Sequence, residues 1–247
     1  MPKYNRRFFL RAVMAQRKGR LFGIGIGPGD PGLMTLKAKE VLDSVNHIIA
    51  PVKKEGEAST ALNIVREKVD LSSKTVHSLI FSMEGGKKQF EECGKNAGDR
   101  IMEILRTGED AAMITLGDVS VYSTYMYLSD HVGSNGFETE IIPGVTSFSY
   151  AAALAKIPLM LGDEALAVIV PNGDSISRAV HDFDNVVVMK SGKHMAEIRK
   201  AMVDNNIPEE NAVVVSRGGM DGQYIGPVDT GREFNYFTTT VIKRNGK

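Results

Sequence analysis

The sequence predicts an α/β protein with two domains: an N-terminal domain on a mainly parallel, doubly wound sheet and a C-terminal domain on a mixed sheet. Four strand patterns alternate with helix patterns in residues 21–116, the order that a parallel sheet with helical crossovers produces. The run Ala111–Leu116 is almost entirely apolar, as a strand covered on both faces must be. Residues 212–242 instead predict antiparallel strands joined by hairpins, because the glycine-rich turn Gly218–Gly222 separates two strand patterns.

The elements of the N-terminal domain follow from the spacing of apolar side chains. Glycine alternates with Phe22, Ile24 and Ile26 in the first strand. The helix after it has apolar residues at i, i+4, i+7, i+8 and i+11 from Met34, which is an amphipathic pattern. The predicted strands cover residues 21–26, 47–50, 76–81, 111–116 and 138–142, and the predicted helices cover 34–45, 61–69 and 97–105.

A domain boundary is predicted at Pro143–Gly144, because proline ends a strand and glycine frees the following turn. The chain then divides into a basic N-terminal extension, residues 1–20, an N-terminal domain, residues 21–142, and a C-terminal domain, residues 143–247. In the C-terminal domain the predicted helices cover residues 146–155, 175–183 and 195–202, and the predicted strands cover 165–170, 185–189, 212–216 and 237–242.

Charge is distributed unevenly along the chain. The net formal charge is zero, but residues 1–20 hold seven Lys or Arg and no acidic residue, which leaves 23 basic and 30 acidic residues, a net charge of −7, for residues 21–247. Nucleic-acid-binding proteins rarely have a negatively charged body, so no nucleic-acid partner is expected. The apolar run Phe8–Leu10 ends at Arg11, too short for a secretion signal or a membrane span. We therefore interpret residues 1–20 as a basic extension rather than a targeting segment, and expect no membrane partner.

The cysteine and histidine residues limit which kinds of site the protein can contain. The single cysteine, Cys93, excludes an internal disulfide and a cluster of cysteine ligands, and it fits a reducing cytoplasm. No Ser-His-Asp or Cys-His arrangement is predicted and no protein metal site is expected, because the histidines fall on unrelated predicted elements: His47, His77, His131, His181 and His194.

The loop after the first strand, Gly27–Gly32, matches the pattern G-x-G-x-x-G of dinucleotide-binding proteins. The context argues against that interpretation, because Pro28 and Pro31 remove two backbone amides that would face a pyrophosphate. The second strand also ends in Ala50–Pro51, without the acidic residue that binds a ribose hydroxyl. A nicotinamide or flavin site is therefore disfavoured, although the glycines still predict close approach of bare backbone to another group.

Three loops follow predicted parallel strands at their carboxyl ends, where ligands collect in sheets of this type. They are Gly27–Gly32, Gly117–Tyr122 and Pro143–Ser147, and each combines glycine with a small polar or acidic side chain. Taken singly, each is explained as an ordinary turn in which a side chain such as Asp118 or Thr146 caps the next helix. Taken together, they predict a binding site.

The same loops carry a resemblance to a known family. The motifs are Gly-x-Gly-Pro-Gly-Asp-Pro-Gly-Leu-Met-Thr35, Leu116-Gly-Asp-x-x-x-Tyr-Ser-Thr124 and Ile142-Pro-Gly-Val-Thr-Ser147. Over residues 21–247 the chain resembles the tetrapyrrole methylases, the S-adenosylmethionine-dependent methyltransferases of siroheme and cobalamin synthesis. With the closing pair Tyr236–Phe237, it resembles the branch that methylates C20 of precorrin-2 or cobalt-factor II.

The resemblance implies that S-adenosylmethionine binds in a cleft between the two domains, and it also implies a homodimer. Backbone amides and an acceptor suit the zwitterionic methionine end of this cofactor, and an apolar slot suits its adenine. The implied cofactor contacts come from the three loops, a strand end and a glycine turn: Pro28, Leu116, Gly117, Asp118, Val121, Thr146, Ser147, Met189 and Gly218.

The acceptor of this branch is a ring with eight carboxylate side arms, which requires cationic and amide donors around the site. Any cobalt belongs to the substrate, and the chain resembles the members that use the cobalt form slightly more closely. The residues implied for substrate binding lie in loops: Asp30, Lys53, Lys87 and Arg217, with Lys54, Lys88 and Lys193 as further loop lysines.

Methyl transfer from a sulfonium to carbon is an in-line displacement, so the protein has mainly to align donor and acceptor. A proton must then leave C20, and Asp118 and Tyr122 are the candidate bases. Other activities stay open at this point, since one fold serves many acceptors. They are methylation of another ring position, such as C2 and C7 in siroheme synthesis; methylation of ribosomal RNA or of a modified histidine on an elongation factor, which the negative body disfavours; and a non-catalytic ligand-binding role.

Overall fold

The computed structural model of the protein describes residues 17–81 and 86–246, except the side chains of residues 86–90. Of the predicted N-terminal extension, residues 1–16 therefore lie outside the described residues. Within the described part of the chain, no helix combines the length and the apolar character that crossing a bilayer requires.

The described residues group into two compact units. The first unit holds the described residues up to Ile26, those of Thr35–Thr115, and Val119–Pro143. The second unit holds the other described residues, including two short segments that follow strands of the first unit in sequence: Gly27–Met34 and Leu116–Asp118. The predicted division of the chain after residue 142 stays a prediction.

The first unit confirms the predicted parallel sheet. Its sheet has the order β3-β2-β4-β1-β5, and all four neighbouring pairs are parallel. The apolar strand β4 lies at the centre, where both faces are covered. The elements of this unit are β1 Arg20–Gly25, α1 Leu36–Ser44, β2 His47–Val52, α2 Thr60–Arg66, β3 Thr75–Ile80, α3 Gly86–Arg106, β4 Ala111–Thr115, α4 Tyr125–Ser134 and β5 Glu138–Ile142.

Helix α4 was not predicted, although its buried residues Tyr125, Leu128 and Val132 follow helical spacing. Thr124 holds the N-cap position without a side-chain hydrogen bond, and the Ser123 hydroxyl oxygen accepts from the Tyr125 amide at 3.1 Å, so Ser123–Thr124 is the start signal of this helix in the sequence. The Tyr125 ring packs on β1 at Gly23, where a Cβ would lie 2.6 Å from the ring. Burial raises the pKa of Tyr125 to about 12, and its hydroxyl donates to the Glu140 carbonyl oxygen at 3.1 Å. Glycine in β1 thus makes room for the ring that joins α4 to the sheet.

The second unit carries a mixed sheet, as predicted. Its order is β6-β7-β10-β8-β9, in which only β6 and β7 are parallel. The elements of this unit are α5 Ser147–Ala155, β6 Leu166–Ile169, α6 Ser175–Asp182, β7 Asn185–Met189, α7 Met195–Asp204, β8 Ala212–Ser216, β9 Tyr224–Gly226 and β10 Thr238–Lys243, with single 3-10 turns at Pro31–Leu33, Ser191–Lys193 and Glu209–Asn211.

The prediction that hairpins join the last strands is only half right. β8 and β9 form a hairpin, but β10 inserts between β7 and β8 and does not pair with β9. All six residues of β10 are buried, which suits the centre of a sheet rather than its edge. Two of its threonine hydroxyls are satisfied by serines at 2.9 Å, Thr238 by Ser216 and Thr240 by Ser191.

Candidate functional site

Two of the predicted loops meet through their backbones. The Gly117 amide donates to the Gly27 carbonyl at 2.7 Å, and the Gly27 amide donates to the Gly117 carbonyl at 3.2 Å. Both residues have positive φ angles, 87° for Gly27 and 76° for Gly117. A Cβ at Gly117 would come no closer than 3.8 Å to any described neighbouring atom, the amide nitrogen of Ser147. Backbone conformation rather than lack of space within the protein therefore requires glycine at this position.

The first loop also packs closely on the turn that follows β8. A Cβ on Gly29 would lie 2.5 Å from the Gly218 carbonyl oxygen, and a Cβ on Gly219 would lie 2.8 Å from the Asp30 amide nitrogen. Gly219 has a φ of 72°, which also favours glycine. The first loop and the turn after β8 can therefore pack this closely only because both have glycine at the contact.

The third loop is held by a charged side chain. Oδ2 of Asp118, a buried residue, accepts a hydrogen bond from the Gly144 amide at 2.7 Å. Thr146 caps helix α5, because its hydroxyl oxygen accepts from the Ser149 amide at 3.3 Å. The interpretation of Thr146 as a helix cap is therefore confirmed, and its place in a binding site stays a prediction. We call the joined segments the loop cluster: Gly27–Met34, Leu116–Asp118, Gly144–Ser147 and Gly218–Met220.

Sequence reasoning missed Tyr150, which lies against the loop cluster. Its hydroxyl oxygen would lie 3.1 Å from a Cβ on Gly219. Burial, and secondarily the negative charge of Asp30, raises the pKa of Tyr150, so its hydroxyl stays protonated and can donate. Asp30 itself accepts from the Gly32 amide at 2.7 Å and so caps the short 3-10 turn. The signal was present in the sequence, because Tyr150 lies four residues after Thr146 and so on the same face of α5.

Several residues that were predicted to bind cofactor or substrate lie outside the loop cluster. Lys53, Val121 and Tyr122 belong to the first unit, and the Tyr122 side chain is half exposed at a φ of 50°. Met189 ends β7, paired with β10. Arg217 begins the turn after β8, and its Nε donates to the Asp221 carbonyl. The Lys87 side chain lies outside the described residues, as does that of Lys88.

The loop cluster can bind a ligand through backbone groups more than through side-chain charge. Gly27 and Gly117 pair their amides with each other's carbonyls, so the glycines contribute backbone without side chains rather than free amides, while Asp118 and Tyr150 add one acceptor and one donor. These groups suit a small zwitterionic ligand. The candidate bases Asp118 and Tyr122 fall in different units. Over residues 17–81 and 86–246, no group of three or more His, Cys, Asp or Glu is arranged to hold a metal ion.

A second cluster, the histidine cluster, lies in the first unit and consists of His47, His77 and Glu109. Nδ1 of His47 lies 2.9 Å from Nε2 of His77, and Nε2 of His47 lies 2.9 Å from Oε2 of Glu109. The two histidines were expected on unrelated elements, but β2 and β3 are neighbouring parallel strands, which brings them together. With Arg100 they line a pocket of about 570 Å³.

The histidine cluster shifts two pKa values in the same direction. Burial, and secondarily the charge of His47, lowers the pKa of His77 below its usual value. The hydrogen bond from His47 is the main cause that lowers the pKa of Glu109. At neutral pH the cluster therefore holds a carboxylate and a neutral His77.

Curated relatives match almost the whole chain. A "Probable cobalt-precorrin-2 C(20)-methyltransferase" of Methanocaldococcus jannaschii is 34% identical over 91% of this chain and 96% of its own length. A "Cobalt-precorrin-2 C(20)-methyltransferase" of Salmonella typhimurium is 30% identical over 92% of this chain and 97% of its own. A "Precorrin-2 C(20)-methyltransferase" of a Sinorhizobium species is 31% identical over 82% of this chain and 85% of its own.

Solved structures and the family profile agree with these relatives. A crystal structure described as cobalt precorrin-4 methyltransferase superposes with a TM-score of 0.71 at 20% identity, covering 91% of this chain and 94% of that chain, which supports the fold. The profile of the Tetrapyrrole (Corrin/Porphyrin) Methylases matches residues 20–232, which include strands of both sheets and all four segments of the loop cluster. The chain therefore belongs to the tetrapyrrole methylases.

Proposed function

We propose that the protein transfers a methyl group from S-adenosylmethionine to C20 of precorrin-2 or cobalt-factor II in cobalamin synthesis. The observation that carries this proposal is the 34% identity, over 91% of the chain, to a relative named for C20 methylation of cobalt-precorrin-2. Two relatives in this comparison are named for the cobalt form and one for the metal-free form. We therefore propose the cobalt form as the preferred acceptor.

We propose that the loop cluster holds the cofactor. The support is physical: glycine backbone is bare where the loops meet, and Asp118 fixes the Gly144 amide. A small molecule with both charges and an apolar base is recognised by a few directed polar groups in an apolar site. The proposed contacts are Pro28, Leu116, Gly117, Asp118, Val121, Thr146, Ser147, Met189 and Gly218.

In the proposed reaction the S–CH3 bond breaks as the C20–CH3 bond forms, and C20 then releases a proton. The cofactor supplies an activated methyl group. The residues of the chain hold donor and acceptor in line and exclude water, and correct alignment alone lowers such a barrier by several kcal/mol, roughly 7–11 in the best cases. Asp118 and Tyr122 remain the proposed proton acceptors, supported by the buried carboxylate of Asp118.

For the acceptor we propose contacts from Lys53, Lys87 and Arg217, whose cations pair with ring carboxylates, and from Asp30 through its loop amide. Cobalt, where present, arrives in the substrate. We also propose a homodimer in the cytoplasm. Light scattering at micromolar concentration tests the dimer, and a monomeric mass would contradict it.

The decisive assay offers precorrin-2 and cobalt-factor II separately with ¹³C-methyl S-adenosylmethionine and locates the new methyl group by carbon NMR. We expect one label, at C20, with faster turnover of the cobalt form. A label at C2, C7, C11 or C17 would agree with a tetrapyrrole methylase but would contradict the assignment to C20. Labelling of ribosomal RNA, with neither ring labelled, rejects the proposal as a whole.

A further inference from the structure

We infer that Lys190 and Tyr236 form a contact surface for the polycarboxylate ring of the acceptor. This inference deepens the proposed function and rests on it. Neither residue is among those that the family resemblance implies for binding. We call the pair, with the backbone that fixes it, the Lys-Tyr platform.

Sheet topology brings the two residues to one end of the mixed sheet. The last residues of β7 and β8 pair with the first two residues of β10, which runs between them in the opposite direction. Lys190 directly follows β7, Arg217 directly follows β8, and Tyr236 and Phe237 directly precede β10. Two cations and two aromatic rings therefore converge on one sheet end.

Direct contacts support this placement. Nζ of Lys190 lies 5.2 Å from the centroid of the Tyr236 ring, within the range of a cation–π interaction. The Tyr236 and Phe237 rings meet edge to face, 5.5 Å apart at 81°. The Arg217 amide donates to the Phe237 carbonyl at 2.8 Å. Tyr236 nevertheless keeps 48% of its surface exposed.

The platform rests on rigid backbone. A Cβ on Gly192 would lie 2.2 Å from the Asn235 carbonyl oxygen, so the turn after β7 touches the segment before β10 without an intervening side chain. Ser191 is fully buried, and its hydroxyl lies 2.9 Å from that of Thr240. The two residues that follow Lys190 are therefore held by close contacts with the segment before β10 and with β10 itself.

Lys190 also has an unfavourable backbone conformation. Its φ is 56° and that of Arg217 is 54°, in the left-handed region that residues with a Cβ avoid. Lys156 and Asn206 share this conformation, but they lie at helix C-termini, where it is common. Lys190 and Arg217 instead follow strands. Strain of this kind persists at functional sites, where the surrounding structure enforces it.

The chemistry of the platform matches one class of ligand. An ammonium group pairs with a carboxylate, and an exposed aromatic ring packs on an apolar, conjugated surface. A tetrapyrrole with carboxylate arms presents both features together. We therefore assign Lys190 to a carboxylate arm and the Tyr236 ring to the macrocycle.

The test measures acceptor binding separately from cofactor binding. Wild type, Lys190→Gly, Lys190→Arg, Tyr236→Ala and Tyr236→Phe are titrated with uroporphyrin III by fluorescence and with S-adenosylhomocysteine by calorimetry, and the KM for each acceptor is measured in the C20 assay. We expect uroporphyrin affinity to fall about tenfold or more in Lys190→Gly and Tyr236→Ala, the size of a lost charge-assisted contact. S-adenosylhomocysteine affinity should stay within about twofold of wild type, because the proposed cofactor contacts are untouched. Lys190→Arg and Tyr236→Phe should retain ring affinity.

Thermal stability separates a structural role from a binding role. Glycine relieves the left-handed strain, so the Tm of Lys190→Gly should equal or exceed that of wild type while ring affinity falls. Lys200→Gln, which removes an exposed cation paired with Asp204, is the charge control and should change neither property. Unchanged ring affinity and KM in Lys190→Gly and Tyr236→Ala overturn the platform but leave the proposed function standing. A wild-type protein that neither binds uroporphyrin nor methylates either acceptor overturns both.

Discussion

The loop cluster of the second unit and the histidine cluster of the first unit are formed by different chemical groups. The loop cluster is held together mainly by backbone contacts. Gly27 and Gly117 form two backbone hydrogen bonds with each other, and Gly219 packs so closely on the Asp30 amide that a Cβ would not fit. The histidine cluster consists of titratable side chains, joined by two 2.9 Å contacts beside a pocket. By pocket and shifted pKa values alone, the histidine cluster would be the first choice for an active site.

Position in the sheet favours the opposite choice. His47 is the first residue of β2, at its amino end, whereas ligands of parallel sheets collect beyond carboxyl ends. The loop cluster contains the segments that follow β1 and β4. The proposed reaction also needs alignment more than proton transfer. A shifted pKa is therefore a weak guide to the site when the chemistry depends mainly on geometry.

The largest expected effect comes from adding a methyl group inside the loop cluster. Gly219→Ala places a Cβ 2.8 Å from the Asp30 amide nitrogen and 2.9 Å from the Tyr150 ring, so the two loops must separate. Misplacement by about 1 Å costs roughly 100-fold in rate, and we expect a loss of that order in methyl transfer and in S-adenosylhomocysteine affinity.

The matched control for this change is Gly173→Ala. Gly173 has a similar φ, 54° against 72°, but a Cβ there meets no described atom within 4 Å. Both variants should lose about 1–2 kcal/mol of stability from left-handed strain. Only Gly219→Ala should lose activity, measured by calorimetry and the C20 assay; equal behaviour of the two variants would show that the loop contact is only structural.

A smaller effect is expected at Asp118. Asp118→Ala removes the acceptor of the Gly144 amide and leaves that amide unpaired, which should cost about 1.5–3 kcal/mol in unfolding free energy. Asp118→Asn keeps an oxygen acceptor and should lose about half as much. Chemical denaturation gives the stabilities, and single-turnover methyl transfer shows whether Asp118→Asn, although folded, has lost a proton acceptor. Full activity in Asp118→Asn would remove Asp118 from the candidate bases.

The smallest expected effect comes from the histidine cluster and depends on pH. The folded state lowers the pKa of His77, so below about 6.5 the unfolded chain binds this proton more tightly. Stability should therefore fall as pH drops from about 6.5 through the folded pKa, with the lowered pKa of Glu109 adding a further loss below about 4.5. His77→Gln should flatten the first decline in Tm, the one that begins at about pH 6.5, with methyl transfer at pH 7 unchanged. A large loss of transfer at pH 7 would instead connect this cluster to the chemistry.

The sequence by itself determined the local features of this protein. Apolar spacing predicted nine of the ten strands in the described part of the chain, because burial of side chains repeats with the period of each element. The motifs of the three loops predicted the family, because each motif consists of residues close in sequence, and the shared site that the loops also predict stays a prediction. The three residues of β9 are too few to show such a pattern, and helix α4 was not predicted although Ser123 and Thr124 mark its start.

Only the tertiary structure decided how distant segments meet. The place of β10 between β7 and β8 depends on pairing with residues far along the chain, which no local pattern encodes. The contact of Gly29 with Gly218, the approach of Tyr150, and the pairing of Lys190 with Tyr236 likewise join segments that lie apart in sequence. The sequence shows where glycine permits a left-handed backbone or a close backbone contact. Which other segment makes that contact depends on the packing of the whole chain.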